Sequence, residues 1–398
     1  MKPFIHLPFV LLIIGLIIGS PSSYGIPAFS KKESLNCSSC HSALPALNGY
    51  GRNYKLSGYR INEPTRPTRP APRGGNTIDP ASVFPISAGI ILRPYDKKGS
   101  GVDKNRVVHE VELMIAGTIA ENISGFLELE AEDEDDFEIF ATVAQGTYSV
   151  NSAINIQFSR APNFYFDPFN SYTSSRRSTI NRNAVIDQSF GGADNGANLR
   201  SKRQNLTAFG RIENFFYGLS YSGVANDNEG KDADTFVTRL AYEFSPTLML
   251  GGMMVNGNCS RESGGGGDGG PCFLADREYS RMAVDAQWTV LNDSLTLNAV
   301  YMSADDDLVD GIGEESNDAF YIQGFYNFLK DGEVFISPVI RYDNYEVNNG
   351  MYEVDAWTFG VSNFIQENIK LRAEYSDRRG EGPVSDDDRF TLQVDAYF

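Results

Sequence analysis

Cysteine is scarce, with four copies in 398 residues, so a disulfide framework does not build this fold. Positive charge is in deficit: 34 lysines and arginines face 52 carboxylates, a formal net charge of −18. That balance excludes nucleic acid as a partner and favours cations or an acidic outer face. Beyond the N-terminus, no apolar run is long enough for a membrane-spanning helix, although 41% of residues are hydrophobic. No hydrolase triad, phosphate loop or zinc cluster stands out. What is abundant is tyrosine (20), phenylalanine (26) and glycine (38), a mix that favours β-structure with many turns.

The chain opens with Lys2 and an apolar core from Leu7 to Ile18, followed by Ser20, Ser22, Ser23 and Gly25. Such a stretch predicts a secretory signal peptide over residues 1–25, with the mature chain starting near Ile26. Next comes Cys37-Ser38-Ser39-Cys40-His41. Two cysteines two residues apart, with histidine directly after, form the attachment pattern of a c-type haem. The thiols add across the porphyrin vinyl groups as thioethers, and His41 offers a neutral imidazole nitrogen to the iron. One covalently held haem c on Cys37, Cys40 and His41 is therefore expected, in a mono-haem cytochrome segment spanning 26–62. So short a segment buries little core alone. Pro45, Gly49, Gly51 and Gly58 predict short helices, and Leu47, Tyr50, Tyr54 and Leu56 are candidates to pack on the macrocycle.

Residues 63–80 follow as a proline-rich linker: Pro64, Pro67, Pro70 and Pro72 favour an extended connector ending at Gly74-Gly75. After processing, the only histidine besides His41 is His109, and the first methionine is Met114. In Val107–Ile115, strand alternation places His109 with the lipid-side residues and turns Met114 inward. Met114 is the better candidate for a distal iron ligand. A strand methionine is more often packing, so five-coordinate iron and other ligands stay open.

From residue 81 to 398 the pattern is alternating polarity in segments of about ten residues. Phe390, Leu392, Val394, Ala396 and Phe398 oppose Arg389, Thr391, Gln393, Asp395 and Tyr397, and Val284, Ala286, Trp288 and Val290 oppose Ala283, Asp285, Gln287 and Thr289. Short links fall at Glu121-Asn122, Glu213-Asn214, Ser245-Pro246, Asn292-Asp293, Lys330–Gly332 and Gln366–Asn368, with mostly longer links between them. This predicts an all-β fold: an outer-membrane antiparallel barrel of about sixteen strands, with short turns and both chain ends in the periplasm. The longest loop, Ala161 to Lys202, either folds into the pore or caps the outside. Cys259 and Cys272 bracket a glycine-rich stretch and predict a disulfide-stapled surface loop. Carboxylates bunch at expected loop tips: Asp133–Asp136, Asp305–Asp307 with Asp310, Glu314 and Glu315, and Asp386–Asp388. They suit either a solvated surface with weak calcium sites or attraction of a hard divalent cation.

The combination of signal peptide, single CxxCH, proline-rich connector and barrel resembles the fused cytochrome–porin family, whose best-known members are outer-membrane iron oxidases. Pro27-Ala28-Phe29 stands at the expected interval before the haem site, and Pro45, Leu47, Gly51 and Tyr54-Lys55 resemble the pattern after it. The chain departs just upstream of the site, where Ser30-Lys31-Lys32-Glu33-Ser34 stands in place of a run like Ala-Arg-Gln-Thr-Gly. The resemblance implies an outer-membrane electron conduit. One electron would pass from an extracellular donor, Fe(II), through the haem to a periplasmic c-type cytochrome. A cation-preferring diffusion porin plugged by its cytochrome segment, or electron export to an external acceptor, are the alternatives.

Overall fold

The structure is a computed structural model that describes residues 29, 33, 35, 37–43, 45–60, 86–98, 104–120, 122–172, 178–187, 199, 202–223, 234–259, 276–291, 294–308, 312–330, 333–348, 350–366, 368–380 and 386–398. The expected signal peptide, the proline-rich linker and the Cys259–Cys272 pairing fall wholly or partly outside these residues.

Within the N-terminal segment, a single 3-10 turn at Cys37–Ser39 leads into a minimal hairpin of β1 (His41–Ala43) and β2 (Ala46–Leu47). Helix α1 (Gly49–Leu56) follows, opened by Asn48, whose side chain accepts a bond from the Gly51 amide at 3.0 Å. Asparagine is a favoured cap because its carbonyl satisfies an amide that the first turn leaves without a partner.

All the remaining described strands join one closed antiparallel barrel. It runs from β3 (Ile86–Lys98) through β4 (Lys104–Ala120), β5 (Ile123–Glu132), β6 (Phe140–Asn151), β7 (Ile154–Pro162) and β8 (Lys202–Ile212). It continues through β9 (Phe215–Ser222), β10 (Asp234–Ser245), β11 (Leu248–Cys259), β12 (Arg277–Val290), β13 (Leu295–Asp307), β14 (Glu314–Tyr326), β15 (Phe328–Lys330), β16 (Glu333–Val347), β17 (Tyr352–Gln366), β18 (Ile369–Gly380) and β19 (Asp387–Tyr397). The short β15 continues β14 along the same edge of β16, so the described residues form sixteen staves with one broken in two. Closure is made by β19 on β3, ending where Phe398 and Ala88 exchange two backbone hydrogen bonds of 2.9 and 2.8 Å. A closed ladder leaves no unpaired edge, which is what allows β-structure to cross hydrocarbon.

Alternation decides which way each side chain points. On β12, Met282, Val284 and Trp288 are exposed while Arg281, Ala283 and Asp285 are buried. Thr391, Gln393 and Asp395 on β19 are each about 1% exposed and line the interior. Phe244, Trp288, Phe328 and Phe398 are exposed near one end of their strands, like the aromatic girdle of an outer-membrane barrel. The expected short links all fall at that same end, which is the periplasmic one.

The N-terminal segment is seated in this periplasmic mouth and fastened on several sides. Ser42 accepts a bond from Asn327, at the break between β14 and β15 (3.2 Å). Arg52 pairs with Glu243 on β10 at 2.8 Å, and Asn53 accepts from Arg211 on β8 at 3.0 Å. Arg60 reaches Asn122 and the Ser149 carbonyl at 3.2 and 3.3 Å. Leu56 is 2% exposed and joins the apolar cluster inside the barrel. The helix is as short as the glycines predict. Of the residues expected to pack on a macrocycle, Tyr50 faces outward and Leu56 is spent on the barrel interior.

Candidate functional site

The CxxCH motif sits where the segment is tightest. Cys37 is 4% exposed, Cys40 is partly exposed, and neither is joined in a disulfide. A methyl group on Gly51 would lie 2.1 Å from the Cys40 carbonyl oxygen. Helix α1 therefore touches the motif backbone at a spot where only glycine fits. Burial and the nearby Glu33 carboxylate push the Cys40 thiol up to about 11, so it is protonated at neutral pH. Tyr54, beside it, donates to Glu33 at 3.1 Å, and its hydroxyl is likewise pushed upward, first by burial and then by that carboxylate.

His41 Nδ1 stands 3.2 Å from the Pro45 carbonyl oxygen. A carbonyl only accepts, so Nδ1 carries the proton and the lone pair falls on Nε2. A ring held this way, with its other nitrogen bonded to a backbone carbonyl, is the usual state of an iron-ligating histidine. Two cysteines outside any disulfide and an oriented imidazole fit the donor set that haem c requires.

Met114 points inward, as alternation predicts, and is 3% exposed. It is packed with Ala116, Phe126 and Val143, against Phe29 of the N-terminal segment. It stands on β4, a different wall from the one that binds Ser42.

His109 departs from expectation. It is 4% exposed and faces the lumen instead of lipid, its Nδ1 2.6 Å from Asp133. The cause is local: the β3–β4 pairing slips twice, between Ile91 and Arg93 and between Arg93 and Asp96. Val107 and Val108 are both exposed as a result, and the alternation reverses at His109. Carboxylates expected at loop tips also prove partly structural. Asp306 belongs to β13, faces inward and holds the buried Arg281 at 2.9 Å. Asp133 binds both His109 and Arg106.

The long connection after β7 folds into the lumen. At one wall, Ser171 and Tyr172 donate to Asp285 at 2.6 and 2.8 Å. At the far wall, the Ile180 and Asn181 amides bond Glu374 at 2.6 and 2.7 Å, and the Ala184 amide bonds Asp343 at 2.9 Å. Its Phe164, Phe166, Phe169 and Tyr172 fill the interior, which decides between the two placements left open by sequence. Lys55 of α1 donates to the Asp167 carbonyl at 2.7 Å. The motif-bearing segment and the constricting loop are thus one packed body.

The lumen carries charges that sequence reading did not single out. Arg203, Arg239 and Arg281 are among the largest fully buried side chains. Glu110, Glu112 and Glu130 bring carboxylate oxygens within 4.8 Å of one another across β4 and β5. The signal was present, since every one of them occupies an inward position of its strand.

No family model and no curated protein matches this sequence. Solved structures do. In vitro folded OmpT of Vibrio cholerae, in its trimer form, is 12% identical and aligns with a TM-score of 0.58 over 79% of this chain and 100% of its own. The anion-selective porin of Comamonas acidovorans gives the same identity, coverage and TM-score. Salmonella typhi OmpF, in complex with daunomycin, is 17% identical with a TM-score of 0.57, over 79% of this chain and 97% of its own. At such identities the likeness is one of fold: the chain is a porin-type β-barrel of the bacterial outer membrane.

Proposed function

We propose that this barrel is an outer-membrane electron conduit of the cytochrome–porin kind. It would carry one haem c on Cys37, Cys40 and His41, accept electrons from an extracellular donor such as Fe(II), and serve a periplasmic c-type cytochrome. The observation that carries the reading is the His41 Nδ1–Pro45 carbonyl contact in a motif seated in the periplasmic mouth. A haem held there supplies a one-electron iron couple. The chain's own contribution is placement. Cys37 and Cys40 anchor, His41 presents Nε2, and α1 braces the motif through Gly51. The barrel wall keeps lipid away, and the inward loop narrows the route from outside. No proton-transfer residue is needed. Met114, walled into its own cluster, remains a proposal for the distal ligand.

The test is peroxidase-type haem staining after denaturing electrophoresis, then Fe(II) added to the oxidised protein while the Soret and α bands are followed. Covalent staining and a reduced spectrum are expected. An unstained mature protein from a haem-competent host overturns the reading, and a stained protein that Fe(II) leaves oxidised removes iron as the donor.

A diffusion porin with a plugged mouth is the second reading, favoured by the polar lumen and by the loop pinned across it. Planar-bilayer conductance separates the two, since a conduit passes little ion current.

A further inference from the structure

Between the inward loop and the barrel wall lies a polar cavity of about 300 Å³. It sits toward the extracellular ends of β4, β5 and β19, away from the N-terminal segment. Five arginines and five carboxylates line it. Most of these charges are committed. Arg341 is held by Asp343 at 2.6 Å, Arg389 grips Asp96 with bonds of 2.8 and 2.7 Å, and Glu134 pairs with Arg106 at 2.5 Å.

Two are not. Arg93 is 8% exposed, and Nε alone is engaged, with Gln393 at 2.8 Å. Its terminal nitrogens have no hydrogen-bond or ion-pair partner among the described residues, and it lines the cavity. Glu132, at the end of β5, also lines it; its backbone carbonyl accepts from the Phe137 amide at 2.8 Å, whereas its half-buried carboxylate has no hydrogen-bond or ion-pair partner among the described residues. These two opposite charges stand on strands separated by β4 and do not reach each other.

We propose that this cavity binds a small dipolar solute, one carrying a carboxylate and an ammonium group. The carboxylate would accept from the Arg93 guanidinium, in the paired geometry that arginine offers carboxylates. The ammonium would donate to Glu132. The Arg93 guanidinium is buried with its terminal nitrogens unpaired, which is costly, so a carboxylate gains most there, and the ammonium adds a contact to the half-buried Glu132. A simple anion would meet Glu110 and Glu132, and a simple cation would meet the arginines. Only a molecule with both signs fits both walls. The site is independent of haem.

The test is calorimetric titration of the purified full-length protein in detergent with glycine, 4-aminobutyrate and 6-aminohexanoate, against butyrate and butylamine. The expected result is that at least one amino acid binds about tenfold or more tightly than either control, a difference of about 1.4 kcal/mol. Arg93→Gln and Glu132→Gln should each remove that preference, while Arg93→Lys retains part of it. Barrel integrity of each variant is checked by heat-modifiable migration. Affinity for butyrate equal to that for every amino acid, no binding at all, or full preference retained in folded Arg93→Gln would each overturn the proposal.

Discussion

Arg239 of β10 and Asp285 of β12 meet on the lumen side over Gly251, on the strand between them, with two parallel hydrogen bonds of 2.7 and 2.9 Å, both side chains wholly buried. The same carboxylate receives Ser171 and Tyr172, so one aspartate holds both a wall arginine and the constricting loop. Removing Asp285 leaves the buried Arg239 only a single, longer carboxylate contact, to Asp167 at 3.3 Å, and breaking a buried pair costs up to about 3–5 kcal/mol. Asp285→Ala should therefore lower the unfolding temperature, and protease cleavage within the loop should become faster in the folded barrel. Unchanged protection of the loop would refute the anchoring role.

Two glycines of α1 form a matched pair. A methyl on Gly51 would meet the Cys40 carbonyl at 2.1 Å, whereas one on Gly49 meets nothing nearer than an Arg52 nitrogen at 3.9 Å. Gly51→Ala should dislodge the motif, at about 1–3 kcal/mol for overpacking. Gly49→Ala should be neutral or slightly stabilising, since alanine favours helix. Limited proteolysis of the N-terminal segment, with haem staining in a haem-competent host, reads out both variants. Equal behaviour of the two would contradict the contact.

In protein made without haem attachment, Cys40 should react slowly with iodoacetamide. The thiolate is the nucleophile, and with its ionisation raised to about 11, alkylation at pH 8 should run about a hundredfold slower than for an ordinary thiol. The rate should climb with pH and level off near 11. Mass spectrometry of the modified peptide across pH measures it, and a plateau near pH 9 would count against the buried, carboxylate-flanked environment.

Arg52→Ala removes a half-buried pair with Glu243, which also binds Arg211 at 2.7 Å. A hydrogen bond to a charged group contributes about 1.5–3 kcal/mol, so the segment should be released more often. Single-channel recordings should show more frequent openings, with no change in the barrel's own heat-modifiable migration.

The barrel was legible in the sequence because lipid imposes period two along most of each strand. Trp288 with Val284, and Thr391, Gln393 and Asp395, follow it, although Leu392 is buried beside a register shift in β19, and the short links fall where glutamate, asparagine and proline interrupt the runs. His109 was misplaced because a slip in pairing is invisible to periodicity: Val107, Val108 and His109 stand opposite Leu92 alone, and the alternation breaks there. The direction of the long loop was equally hidden. It is fixed by Asp285, Asp343 and Glu374, which lie more than a hundred residues further along the chain. The CxxCH motif was plain from spacing, yet its bracing by Gly51 and its seat against Asn327 arise only from three-dimensional contact.

The ties at Asn327, Arg211 with Glu243, and Asn122 with Ser149 are spread around the rim. Among the described residues, a stopper moored from several quarters offers no single side about which to swing. It either sits in place or comes away entire, so partial, door-like opening is foreign to this architecture, and any current through the mouth would come in whole steps.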